Sequence, residues 1–312
     1  MKTIFGPVPS RRLGRSLGID VVPLKTCSYD CVYCESGRTT HLTLKREAFV
    51  GPDEVLRELE DYFGRYPQGA DVLTFSSGGE PTLYEPLGEL IRAVKSRFPS
   101  MPLIVLTNGS LLWDARVRRD LMQADRVVPS LDGATMGSFR AVNRPHPMLD
   151  LSVVLGGLSA FRREYKGQFH LEVMLVSGYN DHPDELAAIR RLVDLLDPRE
   201  VELNTVVRPP ADPGIRGLGE AELRKALEYF PMNRCRIIGG FGGRCESGED
   251  RDLDCRVIEL LKRRPCTPSE MAASLGVELD ALNETLTGLV GEGRLIRYSF
   301  DRQEFVKFRS DS

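Results

Sequence analysis

The sequence lacks any apolar run of about 18 residues, the length that begins to span a bilayer. Residues 1–15, MKTIFGPVPSRRLGR, also lack the apolar core of a signal peptide, so we expect neither export nor membrane insertion and predict a cytoplasmic location. An excess of charge of one sign is missing too, because 42 Lys and Arg stand against 45 Asp and Glu, a net charge of −3. This balance excludes a general affinity of the whole chain for nucleic acid or membranes.

A disulfide framework is also absent, because the seven cysteines are an odd number in a chain expected to be cytoplasmic. Three of them, Cys27, Cys31 and Cys34, follow the spacing Cys-x3-Cys-x2-Cys in the stretch KTCSYDCVYCESGRTT, residues 25–40. Zinc is one explanation, with His41 as a fourth ligand. Zinc loops more often supply two separated ligand pairs, and no second Cys-x2-Cys occurs. Three thiolates in one loop instead suit a [4Fe–4S] cluster with one iron left open, which the spacing favours.

Short apolar or β-branched runs alternate with stretches of helical length and amphipathic pattern. This alternation predicts a parallel sheet with right-handed crossovers, an α/β fold that forms a partial parallel (β/α)6 barrel over residues 1–240. In such barrels the loops after the strands meet at one end, and SSGGEPT, TNG and SLDG all follow strands together with the cysteine loop. The predicted strands are 16–24, 71–77, 102–108, 125–131, 169–176, 200–207 and 234–240, and the predicted helices are 52–66, 85–98, 112–123, 149–165, 182–196 and 217–229.

The pattern changes after residue 240. Residues 241–251 are rich in glycine and charge and predict a linker. Residues 252–312 then predict three helices, the second with a capping box at Thr267 and Glu270, followed by two short strands, which is the order of a winged-helix domain. This part has nine Lys and Arg against eleven Asp and Glu, so protein docking or a structural use is favoured over DNA contact, although LKRRP (261–265) is a local basic run.

The stretch CSYDCVYC, with the aromatic Tyr33 before its last cysteine, resembles the signature loop of the radical S-adenosylmethionine (radical SAM) superfamily. SGGEP, from Ser77 to Pro81, is similar to the GGE motif of that superfamily. The likeness covers residues 5–240. FGPVPSRRLGRSLGID and LNTVVRPP resemble a narrower group related to the wyosine-base synthases of tRNA.

The resemblance implies an enzyme with two cofactors, a [4Fe–4S] cluster and S-adenosylmethionine, in which cleavage of the sulfonium gives a 5′-deoxyadenosyl radical that abstracts hydrogen from a substrate. It implies cluster ligation by Cys27, Cys31 and Cys34. It implies contacts to S-adenosylmethionine from Tyr33, Gly78, Gly79, Glu80, Asn108, Ser130 and Asp132. Substrate contacts are expected from Arg144, Asn204 and Arg208, since arginines at strand ends suit an anionic group.

The substrate class stays open, with a small molecule, an RNA or a protein as possibilities. An external electron donor of the flavodoxin or ferredoxin type is expected as a partner. Alternatives are tRNA base modification, activation of a glycyl-radical protein, and a non-catalytic metal-binding winged-helix regulator. Cys235, Cys245, Cys255 and Cys266 include no tight pair, so no second cluster is expected.

Overall fold

The computed structural model describes residues 3–10, 13–76, 78–231, 233–238, 253–262, 264–301 and 303–309. The predicted linker, 241–251, lies outside these residues. The strands are β1 (Ile4–Ser10), β2 (Gly14–Ile19), β3 (Thr26–Cys27), β4 (His41–Leu42), β5 (Val72–Phe75), β6 (Leu103–Thr107), β7 (Arg126–Pro129), β8 (Gln168–Leu175), β9 (Glu200–Thr205), β10 (Cys235–Ile237), β11 (Leu295–Phe300) and β12 (Gln303–Phe308). The helices are α1 (Pro52–Arg65), α2 (Leu87–Arg97), α3 (Ala115–Asp120), α4 (Met136–Asn143), α5 (Leu151–Glu164), α6 (Pro183–Leu196), α7 (Glu220–Leu227), α8 (Leu253–Leu261), α9 (Pro268–Leu275) and α10 (Leu279–Gly291).

The main sheet has eight strands in the order β1-β2-β5-β6-β7-β8-β9-β10. All neighbours from β2 to β10 are parallel, and β1 is antiparallel to β2. Helices connect the successive parallel strands, because two parallel neighbours can be joined only by a crossover connection. The predicted partial (β/α)6 barrel is therefore confirmed, with β10 as a further short strand.

The barrel is held by apolar side chains between the sheet and the helices. Strand β5 is buried at all four positions, which explains its uninterrupted apolar and β-branched sequence. Leu90 and Ile91 of α2 and Val105 of β6 belong to the same core. Helix α1 begins with Pro52 and carries acidic residues in its first turn, so its start follows the expected rules for a helix N-terminus.

Two elements differ from the prediction. Strand β1 was not expected, because the Gly and Pro residues in IFGPVPS argue against a strand; pairing at the edge of the sheet tolerates them. The aromatic ring of Phe5 lies over Gly18, where an added Cβ would be 2.1 Å from ring carbons. Helix α4 was also not predicted; it lies between the predicted strand 125–131 and the predicted helix 149–165. Thr135 caps α4 by accepting a hydrogen bond from the Ser138 backbone.

Helices α8 to α10 and the antiparallel hairpin of β11 and β12 form what we call the C-terminal module. The order of its elements is the predicted one, and it has a core of its own that includes Val257, Met271 and Leu286. Val8 of β1 packs against this core, so the module lies against the edge of the main sheet that β1 forms. Its winged-helix class stays a prediction. Among the described helices, none combines the length and the apolar sequence that crossing a membrane requires.

Candidate functional site

The three cysteines of the motif lie in one loop beside the barrel. Cys27 ends β3, which pairs with β4, and the Thr43 backbone donates to the Cys27 carbonyl at 2.9 Å. Further along, the Val32 backbone donates to the Val142 carbonyl at 2.9 Å, which ties the loop to α4. The loop is therefore fixed at both ends by segments that are distant from it in sequence.

The sulfur atoms of Cys27 and Cys31 each receive an amide hydrogen bond. Asn108 Nδ2 lies 3.5 Å from Cys27 Sγ, and Asn143 Nδ2 lies 3.5 Å from Cys31 Sγ. Such donors orient a thiolate and stabilise its charge, as groups around metal-bound thiolates commonly do.

Zinc and a cubane cluster place different demands on the protein. A structural zinc ion takes four protein ligands. A cubane cluster binds each thiolate at a different iron, so three cysteines hold it and leave one iron open. The side chain of His41, the suggested fourth zinc ligand, is exposed.

Burial of the three cysteines disfavours their deprotonated, thiolate form. Burial, together with the nearby carboxylate of Glu80, raises the pKa of Cys27 to about 12. Burial likewise raises the pKa of Cys31 well above its usual value, with Asp132 adding to the effect, and it raises the pKa of Cys34. A cationic metal centre would supply the missing positive charge and favour the deprotonated sulfurs.

The GGE motif lies against the strand that leads into Cys27. The Glu80 backbone donates to the Thr26 carbonyl at 3.1 Å, and the Lys25 backbone donates to the Gly78 carbonyl at 2.8 Å. An added Cβ on Gly79 would lie 2.1 Å from that Thr26 oxygen. Gly79 is thus required by close approach to the chain itself, and the motif sets the position of β3.

The buried carboxylate of Glu80 links the motif to the next strand end. Its Oε1 accepts hydrogen bonds from the Thr82 backbone and hydroxyl and from the Thr107 hydroxyl, and its Oε2 accepts one from the Asn108 backbone at 2.8 Å. Burial raises the pKa of Glu80, while these donors lower it. Glu80 thereby orients Asn108, which in turn donates to Cys27 Sγ and to Ser28 Oγ.

Asp132, after β7, connects the other half of the loop to the barrel. Its Oδ2 accepts from Tyr33 Oη at 2.6 Å and from Asn143 Nδ2 at 2.7 Å, and its Oδ1 accepts from the Met174 backbone at 2.9 Å. Burial raises the pKa of Asp132 to about 6, against the lowering effect of these bonds. Asn180 of the GYND motif is buried and donates to the carbonyl oxygens of Asp132 and Met174. The predicted contacts of Asp132, Glu80 and Asn108 with S-adenosylmethionine stay predictions.

A cavity of about 340 Å³ opens beside this network. Its wall includes three of the predicted cofactor-site residues, Tyr33, Cys34 and Gly78, and two of the predicted substrate residues, Asn204 and Arg208. Asn204 Nδ2 donates to Glu172 Oε1 at 2.9 Å inside the barrel.

Two of the remaining predicted residues, Ser130 and Arg144, do not line this cavity. Ser130 extends β7 through a bridge to Glu172 and is partly exposed. Arg144 ends α4 with a φ of 44° and donates to Asp212 Oδ2 at 3.1 Å, so its charge is paired. The catalytic roles of Arg144, Asn204 and Arg208 stay predictions.

Arg208 is buried between two carboxylates. Its Nη1 donates to Glu35 Oε2 at 2.8 Å, and its Nη2 lies 3.6 Å from Glu270 Oε1. Burial alone would lower the pKa of Arg208, but Glu35 and Glu270 raise it. Because Glu35 follows Cys34 directly and Glu270 belongs to α9, Arg208 joins the cysteine loop to the C-terminal module.

Two contributors were missed by the sequence analysis. Asn143 donates to Cys31 Sγ from the end of the unpredicted helix α4, and only the short cap signal at Thr135 marks that helix. Leu260 and Arg264 of the C-terminal module line the cavity. Arg264 belongs to the basic run LKRRP, which had been assigned to a surface patch.

A second group of ligand-type side chains lies in the barrel. His170 Nδ1 is 3.3 Å from Glu202 Oε1 and 3.4 Å from Glu200 Oε2. Arg236 makes ion pairs with both glutamates. Because one guanidinium already bridges both carboxylates, this group is better explained as an internal ion-pair network than as a metal site.

Comparison with known proteins agrees with this arrangement. The family model described as the radical SAM superfamily matches residues 21–192. A crystal structure of a radical SAM methyltransferase from Sphaerobacter thermophilus aligns with a TM-score of 0.55 at 15% identity, over 71% of this chain and 66% of that one. At this identity the structural likeness concerns the fold alone.

Two relatives cover nearly the whole chain. A UPF0026 protein of Methanocaldococcus jannaschii is 32% identical over 314 residues, which span 98% of this chain and 95% of that protein. A protein of Brachyspira hyodysenteriae described as GTPase Obg is 36% identical over 297 residues, 94% of this chain. The chain spans only 43% of that second protein. The present chain contains no Gly-Lys pair and hence no G-x4-G-K-[ST] phosphate-binding loop. The name of that relative therefore gives no reason to assign GTP hydrolysis to this chain.

Proposed function

Starting from the premise that this chain belongs to the radical SAM superfamily and is related to the UPF0026 proteins, we propose a specific reaction type for it. The chain is an enzyme of that family. The proposal is that Cys27, Cys31 and Cys34 hold a [4Fe–4S] cluster whose open iron binds S-adenosylmethionine, and that the substrate lies in the adjoining cavity. The narrower resemblance to the wyosine-base synthases stays a prediction.

When bound, the cluster and S-adenosylmethionine supply reductive cleavage of the sulfonium, giving methionine and a 5′-deoxyadenosyl radical that abstracts a hydrogen atom from the substrate. The chain's own residues supply position. Asn108 and Asn143 donate to two of the sulfurs. Glu80 accepts a hydrogen bond from the Asn108 backbone, and Asp132 accepts one from the Asn143 side-chain amide, so both asparagines are held in place. Tyr33, held through its hydroxyl by Asp132, presents its ring to the cavity in one fixed orientation.

The observation that carries the proposal is the placement of three cysteines in one braced loop beside the cavity, while the side chain of His41, the suggested fourth zinc ligand, is exposed. Three protein ligands leave a fourth corner for a small molecule. The neighbouring cavity can receive that molecule and shield a reactive species from water.

The proposed reaction needs one electron from outside the chain. A donor of the flavodoxin or ferredoxin type fits this requirement, since such proteins transfer single electrons at low potential. Activation of a glycyl-radical protein and modification of tRNA are variants of the same chemistry, and no contact in the structure favours either.

The non-catalytic winged-helix regulator is the rival from another class. In such a regulator we would expect the end of the hairpin to project to DNA. Here Phe300, the last residue of β11, packs against a cluster that contains Val32 and Tyr33 of the cysteine loop. The hairpin end is thus engaged by the barrel, which favours the enzyme.

The test is anaerobic reconstitution with iron and sulfide, followed by incubation with S-adenosylmethionine and dithionite. We expect a broad absorption at about 400 nm that dithionite bleaches. We also expect four irons per chain and slow release of 5′-deoxyadenosine. Cys34→Ala should abolish both the chromophore and the release. Cys235→Ala, which also removes a largely buried thiol but from the far strand β10, should retain both.

A colourless wild-type protein that binds one zinc ion would refute the proposal. So would a chromophore that persists unchanged in Cys34→Ala.

A further inference from the structure

The C-terminal module forms part of the wall of the cavity that adjoins the cysteine loop. Leu260 of α8 and Arg264, which follows α8, both line it. Phe300 packs against a buried cluster that includes Val32 of the cysteine loop, and Glu270 pairs with Arg208. Three separate parts of the module therefore contact the site.

The guanidinium of Arg264 differs from that of Arg208, although both line the cavity. Arg208 is 6% exposed, donates a hydrogen bond to Glu35 and lies between two carboxylates. The Arg264 side chain is 17% exposed and forms an ion pair with Glu35, whose Oε1 is 3.7 Å away, beyond hydrogen-bond distance. Within the part of the chain that the structure describes, the Arg264 side chain makes no hydrogen bond.

A guanidinium has five N–H donors in a planar fork that matches carboxylate or phosphate oxygens. A partly buried guanidinium whose donors are unused loses the hydration that it would have at a surface, so an oxyanion that enters the cavity restores the missing bonds. The volume of about 340 Å³ is at the lower end of the range for small-molecule sites. A small molecule fills this space by itself, whereas an RNA or a protein would place only a single residue in it.

We propose that Arg264 is an oxyanion subsite for the substrate, so that this enzyme acts on a small molecule bearing a carboxylate or phosphate group. The inference rests on the proposed function, because it assigns the cavity to the substrate of that reaction. It also assigns the C-terminal module a role: the module provides the residue that selects the substrate.

The experiment measures binding of inorganic phosphate and of acetate to the reconstituted full chain by calorimetry, with chloride keeping the ionic strength constant. We expect one phosphate or acetate per wild-type chain, and the tighter of the two identifies the oxyanion. Arg264→Gln should weaken binding by about tenfold, and Arg264→Lys, which keeps the charge without the fork, by a smaller factor. Arg294→Gln, a change at an exposed arginine of the same module, should leave binding unaltered.

Three results would overturn the subsite: no binding of either anion to the wild type, equal binding to Arg264→Gln, or complete displacement of the anion by S-adenosylmethionine, which would assign the arginine to that cofactor. Release of 5′-deoxyadenosine by the same wild-type preparation without any substrate is scored separately. Its absence would refute the proposed function, whereas the anion measurements address only the subsite.

Discussion

Replacement of Gly79 by alanine tests whether the GGE motif positions the cysteine loop. The new Cβ would lie 2.1 Å from the Thr26 carbonyl oxygen and 3.2 Å from Val22 Cγ1. In protein structures a Cβ atom essentially never lies closer than 3.0 Å to such a neighbour. The GGE motif and the segment of Thr26 must therefore separate by about 0.9 Å. Because Thr26 precedes Cys27 and is paired in β3, that displacement moves the first cysteine.

The expected cost follows from two contributions. Forcing extra volume into a packed region costs about 1–3 kcal/mol. The hydrogen bonds from Glu80 to Thr26 and from Lys25 to Gly78, at 3.1 and 2.8 Å, stretch as the segments part, and each contributes about 1 kcal/mol. We therefore expect Gly79→Ala to lower the free energy of unfolding by about 3 kcal/mol and to reduce the iron bound per chain.

The matched control is Gly156→Ala in the middle of α5, where an added Cβ meets no atom within 4 Å. Alanine is the better helix former there, so this variant should gain about 0.5–1 kcal/mol. Denaturant unfolding gives both energies, and iron and sulfide analysis after anaerobic reconstitution gives the occupancy. A Gly79→Ala protein with wild-type stability and full iron content would show that the motif does not brace the loop.

Three further changes test other contacts. Asp132→Asn should lower the free energy of unfolding by about 1–3 kcal/mol, because an amide cannot accept all three hydrogen bonds. Tyr33→Phe should then cost less stability in the Asp132→Asn background than in the wild type. Thermal unfolding of the single and double variants measures both costs, and equal costs would disprove the coupling. Asp71→Asn should cost about 0.5 kcal/mol at neutral pH, because hydrogen bonds from Arg15 lower the pKa of Asp71. A lowered carboxyl pKa gives stability that is present above about pH 4 and is lost as the pH falls through the depressed value. The unfolding free energies of the wild type and of Asp71→Asn should therefore converge in acid. A difference that stays constant with pH would be contrary to the reasoning. Phe300→Ala should cost about 1–2 kcal/mol and speed amide exchange in β11 and β12, and unchanged exchange would argue against docking of the hairpin.

The regular elements of the barrel were predictable because their sequences depend on burial alone. Strand β5 reads as VLTF because both of its faces are covered, and α6 begins with Pro183 followed by two acidic residues. Strand β1 could not be predicted, because Gly6 and Pro7 disfavour a strand and its stability comes from distant contacts, namely its pairing with β2 and the packing of Val8 against the C-terminal module.

The first half of the site was predictable from local sequence, whereas its supports were not. The three cysteines and the GGE motif are short continuous patterns. The hydrogen bond from Asn143 to Cys31 joins residues 112 positions apart, and α4 is only eight residues long with Gly137 and Ser138 in its first turns. Arg264 reaches the cavity only through the docking of the module, which no periodicity in the sequence encodes.

The position of the cavity wall in the chain has a consequence for assembly of the protein. Leu260, Arg264 and Phe300 are synthesised long after Cys34, so a nascent chain exposes the cysteine loop while the segment that will cover it has not yet been made. The barrel strands β2 to β9 are complete by residue 205, before any of the C-terminal module emerges. Synthesis thus leaves an interval in which that side of the cysteine loop stays open, and folding of the module then closes it.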